Sequence, residues 1–149
     1  MHARFEPLHA GLLEAVLAVE QQAHPHPWER RHFDDVLQVG NQAQVLCVGD
    51  AVLGYFIAMP ILDEVHLLNI TVAPAYQGQG WARVMLDGLN LWARNHHAQT
   101  LWLEVRTGNT RALRIYAAHG FMEVGRRKNY YPAAQGQRED AIVMKADLL

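Results

Sequence analysis

The amino-acid sequence predicts one mixed α/β domain, with a central β-sheet covered by helices on both faces. Segments with helical spacing of apolar residues alternate with short runs rich in Val, Ile, Leu, Tyr and Phe. No linker, repeat or low-complexity tract divides the 149 residues, of which 50% are hydrophobic. A chain of this length and composition can bury one substantial core.

Two helices are expected before the first strong strands. Ala10–Gln21 carries apolar residues at mostly helical spacing, which predicts an amphipathic helix. The segment His24–Trp28 (HPHPW) ends it, because proline removes a backbone donor and restricts the residue before it. A shorter helix is expected over Glu29–Leu37.

Three antiparallel strands are expected next. Gln44–Val48 and Ala51–Met59 are rich in strand-forming residues, and Gly49-Asp50 between them is a hairpin signal. A third strand over Glu64–Val72 ends at Ala73-Pro74. The hydrophobic period then becomes helical from Trp81 to about Asn95.

The last third of the chain is expected to add a strand, a helix and two further strands. Asn109 is a favourable N-cap for that helix, which runs through Ala118 and is closed by Gly120. The strands are expected over Thr100–Val105, Phe121–Lys128 and Ala141–Lys145, with a polar loop between the last two.

Charge and cysteine content exclude several classes of function. Thirteen Lys and Arg against fifteen Asp and Glu give a net charge of −2, which argues against a general nucleic-acid binder. Cys47 is the only cysteine, so an intramolecular disulfide is impossible. The first residues lack the layout of a signal peptide, and no apolar run is long enough to cross a bilayer. We expect a cytoplasmic protein without a membrane partner, as a monomer or weak dimer.

The nine histidines raise the possibility of a metal site. The nearest pairs are His24 with His26 and His96 with His97, and neither has a third ligand at motif spacing. Solvated or loop histidines explain them better, so no metal is expected.

The segment Asn69–Arg83 leads from a strand through a small-residue turn into an amphipathic helix. Free N–H groups and the positive dipole end at such a helix start suit a pyrophosphate. Gly78 and Gly80 would let the backbone approach phosphate, Ala82 would keep the first turn uncrowded, and Arg83 could add a cationic contact. A glycine-rich loop without a ligand explains the segment equally well, whereas Walker and dinucleotide motifs do not fit.

The turn Gln77-Gly78-Gln79-Gly80-Trp81-Ala82 resembles the Gln/Arg-x-x-Gly-x-Gly/Ala signature of the GNAT superfamily of acetyl-CoA-dependent N-acetyltransferases. Ala82 replaces the final glycine, which the superfamily tolerates, and bulky Trp81 occupies a variable position. The resemblance implies a GNAT-type mixed, mostly antiparallel sheet flanked by helices on both faces. It also implies acetyl-CoA as co-substrate.

Six further segments are similar to the RimI subfamily of bacterial GNAT proteins. They are HPWE (His26–Glu29), LLNITV (Leu67–Val72), LWLEVR (Leu101–Arg106), Asn109 with Ile115-Tyr116, RRKNYYP (Arg126–Pro132) and REDAIVM (Arg138–Met144). Members of that subfamily acetylate the N-terminal alanine of small-subunit ribosomal protein eighteen. The resemblance therefore implies a protein α-amine as acceptor and a ribosomal protein as substrate partner.

Two residues are candidates for proton transfer. Glu104 stands in an apolar strand, where a raised pKa would suit a base, although an acid on the polar face of an edge strand is an alternative. Tyr116 could be a core aromatic residue or a proton donor to the leaving thiolate. The resemblance implies that Glu104 is the general base and Tyr116 the general acid.

The resemblance also implies the residues that bind coenzyme. The pantetheine arm is expected to pair with the third strand, whose backbone N–H groups near Thr71 would stabilise the oxyanion. Attack is expected to be direct, without an acetyl-enzyme on Cys47. The expected coenzyme-binding residues are Ile70, Thr71, Val72, Gln77, Gly78, Gln79, Gly80, Trp81, Ala82, Arg83 and Asn109, of which Asn109 could be only an N-cap.

Four residues are expected to bind the acceptor: Glu64, Asn69, Tyr130 and Tyr131. Tyr130 and Tyr131 could grip a peptide from a polar loop or pack beneath it. Asp63 and Glu64 could hold a cationic peptide. Arg126-Arg127-Lys128 could contact coenzyme phosphates or RNA, or be a solvated strand end. A GNAT enzyme acting on a small-molecule amine and a non-catalytic acetyl-CoA-binding module remain alternative functions.

Overall fold

The computed structural model describes residues 2–148, which form four α-helices and seven strands. In chain order they are β1 Ala3–Pro7, α1 Ala10–Ala23, α2 Arg30–Gln38, β2 Gln42–Val48, β3 Ala51–Ile61, β4 Glu64–Val72, α3 Trp81–Asn95, β5 Thr100–Arg106, α4 Thr110–Ala118, β6 Met122–Pro132 and β7 Arg138–Asp147. Within this range, no helix combines the length and the apolar character that a membrane span requires.

The strands form one seven-stranded sheet in the order β1-β2-β3-β4-β5-β7-β6. β4 and β5 pair in parallel, and α3 supplies the crossover that a parallel pair needs. The pairs β1–β2, β2–β3, β5–β7 and β6–β7 are antiparallel. The predicted fold class, a mixed and mostly antiparallel sheet with helices, is therefore confirmed.

Two elements differ from the sequence prediction. The edge strand β1 was not expected, because its five residues include Arg4, Glu6 and Pro7 and it forms only by pairing with β2. β6 continues to Pro132, so Tyr130 and Tyr131 stand at the end of a strand and not in a loop. The reason is tertiary, since Tyr131 pairs with Glu139 of β7.

The structure divides into two compact units. The first unit contains the described residues up to Met59 together with Leu68–Asp87, and the second contains Pro60–Leu67 together with the described residues from Gly88 onward. In the first unit, α1 and α2 pack against one face of β2 and β3. Val16, Phe33 and Val45 are fully buried in this core.

The opposite face of β3 in the first unit is covered by α3. Gly54 points to this face because strand side chains alternate, and its nearest side-chain neighbour is Met85 of α3. A Cβ at Gly54 would lie 2.4 Å from the carbonyl oxygen of Thr71 and 3.2 Å from Cα of Val72. Glycine is therefore required for β4 to run this close to β3.

In the second unit, β5 buries one face and leaves the other partly exposed. Leu101, Leu103 and Val105 are buried, whereas Trp102, Glu104 and Arg106 alternate with them and are half-buried. β7 lies between β5 and β6 and contributes Ala141, Ile142, Met144 and Ala146 to the core.

Three consecutive residues at the start of β7 form hydrogen bonds with the turn after β5 and with the end of β6. Glu139 accepts hydrogen bonds from the backbone N–H of Gly108 at 2.7 Å and from the side chains of Arg106 and Thr107 at 3.2 and 3.3 Å. Arg138 donates to the carbonyl oxygens of Asn129 and Tyr130. Asp140 accepts from the N–H of Asn129 at 2.9 Å. The contacts of Arg138 and Asp140 fix the β6 end that carries the paired tyrosines, and those of Glu139 fix the turn after β5.

We expect Gly54→Ala to destabilise the protein by roughly 2 kcal/mol, because the new methyl group meets backbone atoms of β4 that must shift. Urea unfolding at neutral pH measures the change. Gly125→Ala on β6 is the matched control, since a Cβ there meets nothing within 4 Å. Equal stability of the two variants would contradict the role assigned to Gly54.

We expect Glu139→Gln to destabilise the protein most above about pH 5. The Gly108 N–H bond, followed by Arg106, holds the pKa of Glu139 below its ordinary value of 4.5. A carboxylate with a depressed pKa adds stability above its unfolded pKa and loses it as the pH falls through the folded value. Unfolding free energies of both proteins between pH 3 and 7 test this, and a difference independent of pH would contradict it.

Candidate active site

The glycine-rich turn of the first unit joins the end of β4 to the start of α3. A 3₁₀ turn over Pro74–Tyr76 follows the strand, and α3 begins at Trp81. Gly78 and Gly80 have φ angles of 78° and 88°, which glycine adopts without strain. The predicted strand–turn–helix arrangement is therefore present, with glycine at two positions where the backbone requires it.

Hydrogen bonds hold the beginning of this turn against the strands. The N–H of Ala73 donates to the carbonyl oxygen of Leu53 at 2.8 Å, and Nε2 of Gln77 donates to that of Val72 at 3.1 Å. Gln77 thus ties the turn to the last residue of β4. This contact gives it a structural role beside the coenzyme contact expected from the sequence.

The start of α3 has the electrostatics of an anion site. The first N–H groups of a helix lack intrahelical acceptors, and its N-terminal end carries a partial positive charge. No acidic residue stands in the first turn, Arg83 is exposed, and Ala82 is half-buried. Trp81 donates from Nε1 to the side chain of Gln79 at 3.3 Å. These features fit the phosphates of a coenzyme.

The C-terminal part of β4 carries two polar side chains that lie in contact with each other. Thr71 donates its hydroxyl to Oδ1 of Asn69 at 2.8 Å, and Thr71 is buried. Ile70 and Val72 alternate with these two residues, so their side chains point to the other side of the strand. The parallel ladder with β5 covers Glu64–Leu67, so residues 69–72 lie beyond its paired part.

A buried acidic residue, which the sequence reasoning missed, anchors this polar pair. Glu20 of α1 is 2% exposed and accepts from Nδ2 of Asn69 at 3.0 Å and from the hydroxyl of Tyr55 at 2.6 Å. Burial first, and then the charge of Glu20, raise the pKa of Tyr55. The available signal was its place on the apolar helix face, since Glu20 follows Leu13, Val16 and Leu17 at helical spacing.

In the second unit, Glu104 is half-buried on β5 and has a cationic neighbour. Nε of Arg127 on β6 lies 2.7 Å from its Oε2. The sequence reasoning did not anticipate this pair, although it singled out the run Arg126-Arg127-Lys128. Arg126 pairs instead with Glu123 at 2.9 Å.

Tyr116 is buried on α4, with its ring in edge contact with that of Phe121 at 5.8 Å between centroids. Burial, with a smaller contribution from the phenol of Tyr131, raises its pKa. The phenol therefore keeps its proton at neutral pH, as a proton donor must. The packing also fits the core aromatic role that the sequence left open.

The paired tyrosines differ in exposure. Tyr130 is 43% exposed, whereas Tyr131 is half-buried beneath the guanidinium of Arg106, which lies 4.5 Å from its ring centroid. Arg127 lies 5.4 Å from the ring centroid of Tyr130. Burial first, and then the charge of Glu104, raise the pKa of Tyr131 to about 12. Within this unit, the predicted base, the predicted acid and both tyrosines thus belong to one neighbourhood.

The other predicted residues of the second unit lie at its edges. Asn109 is the N-cap of α4, and its side chain accepts from the N–H of Ala112 at 3.2 Å, so the capping role is confirmed. Glu64 is half-buried at the start of β4, with Oε2 3.4 Å from Nε2 of His66. Asp63 is exposed, and its carbonyl oxygen accepts from the N–H of Gln99 at 2.6 Å.

Comparison with solved structures shows two informative similarities. The crystal structure of the ribosomal-protein-S18-alanine N-acetyltransferase from Escherichia coli superposes with a TM-score of 0.91 and 35% identity, covering 99% of this chain and 94% of that chain. A GNAT family acetyltransferase from Elizabethkingia anophelis, solved with acetyl-CoA bound, shows the same fold with a TM-score of 0.80 and 23% identity over 98% of each chain.

Sequence comparison agrees with the structural similarity. Proteins named ribosomal protein bS18-alanine N-acetyltransferase from Salmonella typhimurium and Haemophilus influenzae are each 39% identical, over 137 and 136 residues. The alignments cover 89% and 88% of this chain and 88% and 89% of those proteins. The model of the acetyltransferase (GNAT) family matches residues 11–121. The chain therefore belongs to the GNAT family of acetyltransferases.

Proposed function

We propose that this protein transfers an acetyl group from acetyl-CoA to the N-terminal alanine of small-subunit ribosomal protein eighteen. The observation that carries the proposal is the identity of 39% to enzymes named for that reaction, over nearly nine-tenths of both chains. The similarity to the Escherichia coli crystal structure supports it independently of the sequence alignment. Family membership implies acetyl-CoA as the donor.

The first unit is assigned the binding of coenzyme. The N–H groups of Gly78, Gly80 and the first turn of α3 would hold the phosphates, with Arg83 adding a positive charge. Backbone N–H groups of β4 near Ile70, Thr71 and Val72 would face the acetyl oxygen as it gains negative charge. Bound acetyl-CoA supplies an activated thioester, so no residue of the chain has to form a covalent intermediate.

The second unit is assigned proton transfer. An α-amino group has a pKa of about 7.7–8.0, so a carboxylate needs only to collect one proton from it, directly or through water. Glu104 is the proposed base, and its carboxylate is paired with the guanidinium of Arg127. As nitrogen attacks the carbonyl carbon and the carbon–sulfur bond breaks, Tyr116 is proposed to protonate the leaving sulfur.

Acceptor binding is assigned to four residues. The exposed ring of Tyr130 can lie against a peptide, and the half-buried ring of Tyr131 lies beside it beneath the guanidinium of Arg106. Glu64 offers negative charge to a cationic peptide, and Asn69 offers an oriented amide. Ribosomal proteins are cationic, so a carboxylate in this group favours such an acceptor.

The defining experiment measures thiol release from acetyl-CoA with a peptide that copies the N-terminus of small-subunit ribosomal protein eighteen. We expect turnover on the free peptide and none on the same peptide with its α-amine blocked and its lysines left free. Turnover on both would indicate lysine side chains as acceptors. No turnover on either peptide, with acetyl-CoA still bound, would contradict the proposal. It would leave acetylation of a small amine, or a binding role, as the function.

We expect Glu104→Gln to lower kcat by about 10²-fold or more at neutral pH, because the amine loses its proton acceptor. Acetyl-CoA affinity should remain near normal, and the loss should shrink above about pH 8, where the free amine predominates. Glu123→Gln is the matched control, since that glutamate also pairs with an arginine of β6. Full kcat of Glu104→Gln at neutral pH would remove Glu104 from the mechanism.

A further inference from the structure

The proposed mechanism does not use Glu20, although this acidic residue is buried in the core of the first unit. Removing a carboxylate from water costs several kcal/mol unless hydrogen bonds replace the lost solvent. An apolar side chain of similar volume would fill such a place at lower cost. Packing alone therefore does not explain why a carboxylate occupies this position.

The donors to Glu20 come from three different segments. Tyr55 belongs to β3 and Asn69 to β4, and both donate to Oε1. The third donor is the backbone N–H of Trp28, at 2.9 Å from Oε2. Trp28 lies in the α1–α2 connection, His24–Glu29. One side chain thus ties two strands and a connecting segment together.

Beyond Asn69, it is determined which group donates and which accepts in each hydrogen bond. Thr71 gives its single hydroxyl proton to Oδ1 of Asn69, so the Thr71 oxygen must accept from Nε2–H of His24, at 2.8 Å. Nε2 of His24 also lies 3.7 Å from Oε1 of Glu20, which closes a ring. Within this ring, the carboxylate binds the amide of Asn69 directly, and Asn69 in turn sets the direction of the Thr71 hydroxyl.

We propose that Glu20 is a positioning residue for the acceptor peptide. It orients the amide of Asn69 and holds the α1–α2 connection against the end of β4, so that both are fixed before the peptide binds. The inference rests on the proposed function. It predicts an effect on peptide affinity and little effect on coenzyme affinity, because the ring does not include the glycine turn or the start of α3.

The test is Glu20→Gln, measured with the peptide of small-subunit ribosomal protein eighteen and acetyl-CoA. A glutamine has one acceptor oxygen where the carboxylate has two, so its NH₂ group would face a donor at Asn69 or at Trp28. We expect the peptide KM to rise about tenfold, with the KM for acetyl-CoA changed by less than about twofold. The backbone amide of Trp28 should also exchange its hydrogen faster.

Val16→Ala controls for a general loss of stability. Val16 is fully buried in the same helix and core but makes no polar contact with the ring. It should lower the melting temperature while leaving both KM values and the exchange of the Trp28 amide unchanged. If Glu20→Gln fails to fold, Glu20→Asp replaces it, since the shorter side chain keeps the charge but draws the carboxylate away from Asn69 and from the N–H of Trp28.

Peptide binding is also measured by titration with a non-transferable coenzyme analogue present. If wild-type protein neither binds nor acetylates the peptide, the proposed function fails. If wild-type protein binds it and Glu20→Gln, or Glu20→Asp in its place, binds it equally well, the positioning role fails while the function stands. Parallel losses in Val16→Ala and Glu20→Gln would show that Glu20 serves stability alone, and would likewise overturn the inference.

Discussion

The burial of one carboxylate, that of Glu20, is the constraint on which the arrangement of the first unit depends. Apolar contacts among α1, α2, β2 and β3 exclude water but do not specify where polar groups point. The carboxylate does, because each of its oxygens must meet a donor. Those donors lie on β3, on β4 and in the α1–α2 connection. The carboxylate therefore fixes the relative positions of three segments that are distant in sequence.

The second unit places its acidic residues differently. Glu104 and Glu139 are both half-buried, and each has an arginine partner, Arg127 and Arg106. The two glutamate side chains are 28% and 26% exposed, so solvent screens these pairs more than it screens Glu20, which is 2% exposed. The proposed base of the second unit is thus a half-buried carboxylate in an ion pair, whereas the buried carboxylate of the first unit accepts hydrogen bonds from side chains of two strands.

Local signals were sufficient where one residue type determines the backbone. The end of β4, the glycine turn and the Asn109 cap follow from proline, glycine and asparagine at fixed positions. Local spacing places Glu20 on the apolar face of α1 but does not reveal its partners, since Tyr55 and Asn69 are 35 and 49 residues distant. β1 and the end of β6 were not predicted for the same reason, because each is extended only by pairing with a remote strand.

The position of β7 has a consequence for synthesis of the protein. β6 pairs with β7 and stands at the edge of the sheet, so it has no strand to join until residues 138–147 have left the ribosome. The tyrosine-bearing end of β6 is likewise held by hydrogen bonds to Arg138 and Asp140. A nascent chain can therefore form its glycine turn early, but it completes the neighbourhood of Glu104 only late in translation.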